Sequence, residues 1–202
     1  MTYQVLSSGE VITIGKDEYL KGYAPENILK GQNGMIYYPA NMAGDDIIHI
    51  VKGNSKTGEE VLNFNLPIEL TCDHRCECYK DRKCYACSGC YLYSNNQFTY
   101  TQNYNFIKSD KYCFEDVLAI FQKAIDETGA KLFRFFTCGD IPNKRFFRIM
   151  VELAYNNPDV KFWSYTKKYY IVNDYLKHWQ DENTKKNNFP KQSCNCLFPL
   201  DE

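Results

Sequence analysis

Six of the ten cysteines in this 202-residue chain fall between Cys72 and Cys90, at Cys72, Cys76, Cys78, Cys84, Cys87 and Cys90. The residues between them are mostly charged or polar, including Asp73, His74, Arg75, Glu77, Lys80, Asp81, Arg82 and Lys83. A hydrophobic core cannot account for thiols in such company, so they require partners, either one another or a metal. The run Val61-Leu62-Asn63-Phe64-Asn65-Leu66, closed by Pro67, predicts a strand that delivers the chain into this loop.

Disulfides would suit a small secreted chain. This one is long enough to build a core without staples. Its start, MTYQVLSSGEVITIG, shows no basic segment followed by an apolar one, and no apolar run is long enough to span a membrane. The expected setting is therefore the reducing cytoplasm, where clustered cysteines point to metal. Lys and Arg total 24 against 25 Asp and Glu, a formal charge of −1 that gives no whole-chain electrostatic case for nucleic acid. A protein or nucleic-acid partner reached through local patches stays open. The 17 Tyr and 13 Phe suit half-wet walls and interfaces as well as cores.

Along the chain, residues 2–14 predict two short strands about Ser8-Gly9, and Met35–Tyr38 and Ile47–Val51 predict two more. Gly53-Asn54-Ser55-Lys56-Thr57-Gly58 reads as a polar turn, since the second half of a phosphate loop is missing. After Cys90 the Asn-, Gln- and Tyr-rich stretch to Tyr104 has no periodicity that decides between helix and loop. Tyr112–Thr128 predicts a helix capped by Ser109 or Asp110 and stopped at Gly129; Cys113 is read as a small buried hydrophobe. Lys131–Thr137 and Val160–Tyr165 predict strands, and Asn143–Tyr155 and Ile171–Gln180 helices. Lys144, Arg145 and Arg148 read as the wet face of the first of these helices, and His49 and His178 as structural or exposed.

This alternation predicts an α/β protein: a parallel sheet forming a partial, half βα barrel, with an N-terminal β-rich segment (1–58), a βα core (59–180) holding the cysteine-rich metal loop (71–90), and a polar tail (181–202) containing Cys194 and Cys196. Functional groups gather at the C-terminal ends of parallel strands. Three such exits are the cysteine loop, Thr137-Cys138-Gly139-Asp140 and Tyr165-Thr166-Lys167. The local thiols suit either zinc, with a Cys84/Cys87 clip and two further cysteines, or an iron–sulfur cluster; His74 is a further candidate ligand. Thiols beyond one four-ligand site leave room for a second, completed by Cys138, Cys194 or Cys196. Asp140 is equally suited to capping the next helix, and Lys167 to a solvated strand end.

Gly53-Asn54-Ser55-Lys56, Phe64-Asn65-Leu66-Pro67, Thr71-Cys72 leading to Cys84-Tyr85-Ala86, Arg134 before Gly139-Asp140, and Phe162-Trp163-Ser164-Tyr165-Thr166-Lys167 resemble, in order, the successive signatures of the phage gene 88 protein family, between residues 52 and 175. More remotely, the Cys84-Tyr85-Ala86 element is similar to radical S-adenosylmethionine enzymes, in which a cysteine loop after the first barrel strand holds a [4Fe–4S] cluster and a Gly-rich acidic motif after the second contacts the adenosylmethionine amine. That resemblance implies Cys72, Cys84 and one of Cys76 or Cys78 as cluster ligands, and Gly139 and Asp140, with Lys167 at the third exit, as cofactor-binding residues. It also implies closure of the half barrel by the N-terminal strands or by a second copy in a homo-oligomer.

Overall fold

A computed structural model describes residues 2–6, 8–14, 20–31, 35–53 and 61–186. The turn read at residues 54–58, and Cys194 and Cys196, lie outside the described residues. Strands β1 (Thr2–Leu6) and β2 (Val11–Ile14) form a hairpin in which Gly9 adopts φ 80° and donates its N–H to Leu6 O at 2.8 Å. A small antiparallel pair follows, β3 (Leu29–Lys30) with β4 (Ile36–Tyr37), and then β5 (Ile47–Lys52) and β6 (Val61–Phe64).

Two single turns, α1 (Ile68–Thr71) and α2 (Glu77–Lys80), and two 3-10 turns, Tyr85–Cys87 and Gly89–Leu92, carry the cysteine-rich stretch. The remaining elements are α3 (Ser94–Lys108), α4 (Phe114–Thr128), β7 (Leu132–Phe135), α5 (Lys144–Asn156), β8 (Lys161–Ser164) and α6 (Tyr169–Lys186).

The main sheet has the order β2-β1-β5-β6-β7-β8. Its β6-β7-β8 half is parallel, whereas β2, β1, β5 and β6 pair antiparallel. The expected parallel half-sheet is therefore the three strands β6, β7 and β8. The N-terminal strands extend the same sheet in antiparallel pairing, and among the described residues the sheet stays open, without closing into a barrel.

Leu62, Phe64, Phe133, Phe135 and Phe162 point from the sheet into one core with Phe121 of α4 and Phe146 of α5. Phe64 meets Phe121 edge-on at 4.9 Å and Phe133 lies 4.6 Å from Phe135. Each such ring contributes about 1.5–3 kcal/mol by leaving water. The other face of the parallel strands carries Asn63, Arg134 and Trp163 in cross-strand register.

Helix α4 starts at Cys113, which is exposed and acts as the N-cap, paired with Asp116 in a capping box. Neither Ser109 nor Asp110 caps it, and Cys113 is not a buried hydrophobe. Arg145 also departs from the wet face read for it: it is part-buried and donates to Tyr112 O at 2.6 Å, whereas Lys144 and Arg148 pair outward with Asp174 and Glu152.

Helix α3 has an amide-rich interior. Gln97, Thr101, Gln102 and Asn103 are all buried, and Thr101, Gln102 and Asn103 have partners at least 53 residues away, at Tyr38 and His49. Gln97 donates to Tyr91 O, Thr101 to Tyr38 O and Asn105 to Ala40 O and Ala43 O. These bonds, and not an apolar stripe, fasten α3 to the 38–43 segment and to the end of the cysteine-rich stretch.

Candidate functional site: a thiol cluster at the parallel strand exits

The three exits are tied together by backbone and side-chain hydrogen bonds. Phe136 N donates to Phe64 O at 2.8 Å, Leu66 N to Cys138 O at 3.0 Å, and Cys138 N to Asn65 Oδ1 at 3.0 Å. Phe136 is buried with φ 62°, a left-handed conformation that is costly for an aromatic residue and turns the chain toward the cysteines. Gly139 follows at φ 89°, and a Cβ there would lie 2.5 Å from Leu66 O. Only glycine fits this approach of one strand exit to its neighbour.

Asp140, 4% exposed, joins all three exits. Its N–H donates to Thr71 Oγ1 at 3.0 Å; Oδ1 accepts from Ile141 N at 2.7 Å and from Thr166 Oγ1, and Oδ2 accepts from Lys167 N at 3.0 Å. Burial outweighs these bonds and raises the carboxyl above its ordinary range. Helix α5 is capped by Asn143, which accepts from Phe146 N at 2.8 Å, so Asp140 is a clamp between strand exits and not the helix cap.

The cysteines reach this edge on short turns. Cys72 ends α1, Cys76 caps α2, Cys78 lies within it, and Cys84 caps the turn that carries Cys87. Cys84 is the common neighbour: its N–H donates to Cys78 O at 3.2 Å, its O accepts from Cys87 N at 2.9 Å, and it packs in one cluster with Cys72, Cys87 and Cys138. Cys76 Sγ and Cys78 Sγ approach to 2.7 Å. Cys87 and Cys138 are buried; Cys72, Cys76, Cys78 and Cys84 are half-buried; Cys90 is exposed.

Burial lifts the Cys72 thiol well above its ordinary value, and Asp140, Cys138 and Cys84 push it further. Cys138 rises through burial and through Cys84 and Cys87. Cys78 is pushed up to about 11 by burial and Cys76, while Cys76 is held below its ordinary value by the hydrogen bond from Cys78. Such mutually repelling thiols ionise together only when positive charge is brought among them, as a metal does.

Cys138 joins the local thiols although 48 residues separate it from Cys90. Its place directly before Gly139-Asp140 at a strand exit was the available signal. Lys167 is exposed and acts on Cys76 and Cys78, whereas Lys168, which the sequence did not single out, anchors to Ile141 O at 2.8 Å and acts on Cys72 and Asp140. His74 is turned to other work: it stacks on Tyr79 at 4.2 Å and bonds Glu69 O through Nε2 at 2.7 Å. Tyr79 in turn donates to the Glu69 carboxylate. Among the described residues, no three His, Cys, Asp or Glu side chains already converge as ligands of one ion. A cavity of about 220 Å³ between Lys52 and Lys131 lies at the opposite edge of the sheet, away from the thiols.

The molecule is thus an α/β protein whose parallel strands deliver a dense thiol cluster, an internal carboxylate clamp and two lysines to one edge. The chain belongs to the Gene product 88 family, whose model matches residues 47–187, from the start of β5 through α6. No curated protein and no solved structure matches it. No described helix is long and apolar enough to cross a membrane.

Proposed function

We propose that this is an iron–sulfur protein whose cluster is held at the C-terminal edge of β6, β7 and β8. The observation that supports this reading is the position of Cys84, hydrogen-bonded through its backbone to Cys78 and Cys87 and packed in one cluster with Cys72, Cys87 and Cys138. The donor chemistry fits: the residues gathered there are soft sulfur ligands, part-buried, with little fixed positive charge to ionise them otherwise. Cys72, Cys84 and one of Cys76 or Cys78 are the ligands; Cys87 and Cys138 close the apolar side. A [4Fe–4S] cluster with three protein ligands supplies electrons and one open iron for a bound ligand.

The remaining residues of the site have roles of their own. Asp140 fixes the separation of the three exits, Gly139 permits their close approach, and Lys167 and Lys168 offset negative charge on the thiolates. Binding of adenosylmethionine beside Gly139 and Lys167 is part of the same proposal, whereas the Asp140 carboxylate, expected at this site, is buried and spent on Thr166 and Lys167 N. A second reading is a zinc staple that fixes the turns around a binding surface for a macromolecular partner. It is favoured by the Cys84–Cys87 pair on a single 3-10 turn, the clip found in structural zinc sites.

Anaerobic purification with iron, zinc and acid-labile sulfide analysis separates the two. Iron with sulfide and visible absorption, both lost in Cys84→Ala, supports the cluster and leads to a test of adenosylmethionine cleavage. Zinc without iron sinks the cluster and leaves the staple.

A further inference from the structure

We infer that Arg134 forms an oxyanion-binding position on the open face of the parallel strands, taking the carboxylate or phosphate of a small ligand beside the thiol cluster. It stands independently of which metal the cysteines hold.

Strand β7 alternates Phe133 and Phe135 into the core with Leu132 and Arg134 on the opposite face. Arg134 sits there between Asn63 and Trp163 in register on β6 and β8. Its guanidinium is held from two sides. Nη2 donates to Tyr85 Oη at 3.4 Å, and Cζ lies 5.9 Å from the centre of the Tyr165 ring. Tyr85 spends its own proton on Thr137 O at 2.7 Å, so toward Arg134 it is an acceptor only. The fork is therefore oriented before any ligand arrives.

What this arrangement lacks is an anion. Among the described residues the ion pairs join other side chains, and no carboxylate faces Arg134. Its Nε is shut off from water and has no hydrogen-bond partner.

A planar fork recognises oxyanions two oxygens at a time, which selects carboxylate or phosphate over halide. Tyr85 and Tyr165, 54% and 59% exposed, offer aromatic walls for the body of the ligand. Tyr85 also follows Cys84 directly, so a ligand anchored on Arg134 has its uncharged part beside the thiols.

Calorimetric titration of the purified protein with inorganic phosphate and with citrate tests this, and comparison of the two probes distinguishes phosphate from carboxylate recognition. Saturable binding of either is expected, weakened about tenfold or more in Arg134→Lys, which keeps the charge and loses the fork, and unchanged in Arg148→Lys. The side-chain Nε resonance of Arg134 in the unaltered protein gives a second readout should the variant fail to fold. It is expected to move saturably with the bound probe while those of the other arginines stay in place. Absence of binding by both probes, equal binding by Arg134→Lys, or a common shift of all arginine resonances would overturn the assignment.

Discussion

The side-chain amide of Asn103 takes the place of a strand against the main chain of His49. Its Oδ1 accepts from His49 N at 2.6 Å and its Nδ2 donates to His49 O at 3.1 Å and to Asn65 O at 2.9 Å. The β5–β6 ladder ends at the Ile50–Phe64 pair, because the chain leaves β6 at Asn65 to deliver the cysteines. The amide fills the gap that this departure opens.

Asn103→Ala leaves the N–H of His49 and two carbonyls unpaired in the interior. A loss of roughly 3 kcal/mol is expected in urea unfolding, given 1–3 kcal/mol for each orphaned group and partial access of water. Asn103→Asp should be at least as harmful, since its carboxylate still accepts from His49 N but repels both carbonyls. If the aspartate variant matches the native protein, the amide is not completing the ladder.

His49 gives the fold an acid sensitivity. Its Nε2 bonds Gln102 Oε1 at 2.7 Å, its Nδ1 has no partner, and burial pushes its pKa down to about 4 from 6.5. A histidine whose pKa is lower in the folded chain favours folding while neutral. That contribution is complete above pH 6.5 and is lost as pH falls from 6.5 toward about 4. The loss amounts to about 3 kcal/mol across that window, at 1.36 kcal/mol per unit. Unfolding of the native protein and of His49→Gln, measured at several pH values, should show the slope in the former and a much flatter dependence in the latter.

Gly139→Ala tests the approach of β7 to β6. The new Cβ would lie 2.5 Å from Leu66 O on a backbone at φ 89°, so the exits must part. Roughly 2–4 kcal/mol of destabilisation is expected. The metal proposed for the thiols should fall with it, because Cys138 and Asp140 flank the glycine. Retention of full metal content alongside lost stability would separate the clamp from the thiol site.

On the proposed reading of the thiols as metal ligands, removal of that metal should act locally. Treating the holoprotein with a chelator is expected to lower its melting temperature and to speed hydrogen exchange across residues 72–92, with β1 and β5 less affected. Cys84→Ser should reproduce the treated protein, and Cys113→Ser, at the distant α4 cap, should retain its metal. Equal metal loss in the two variants would show that Cys84 holds no special place.

The strands at Val61–Phe64, Leu132–Phe135 and Lys161–Ser164 and the amphipathic helices α4 and α5 were legible in sequence, because an apolar face written at period 2 or 3.6 is a local pattern. So was the cysteine-rich stretch, since thiol spacing is local too. Helix α3 was illegible for the opposite reason. Its buried face is made of amides and hydroxyls whose partners stand as far off as Tyr38, His49 and Asn65, so no apolar stripe marks it.

Tertiary structure alone decided that the N-terminal strands extend the parallel half-sheet, that Cys138 joins the thiols, and that Asp140 spends its carboxylate on Thr166 and Lys167. It also set His74 against Tyr79 and Glu69 O and left Arg134 Nε without an acceptor. Each of these depends on groups brought together from distant parts of the chain. The periodicity of a sequence records which face of an element is buried, but not which polar group from another element meets it there.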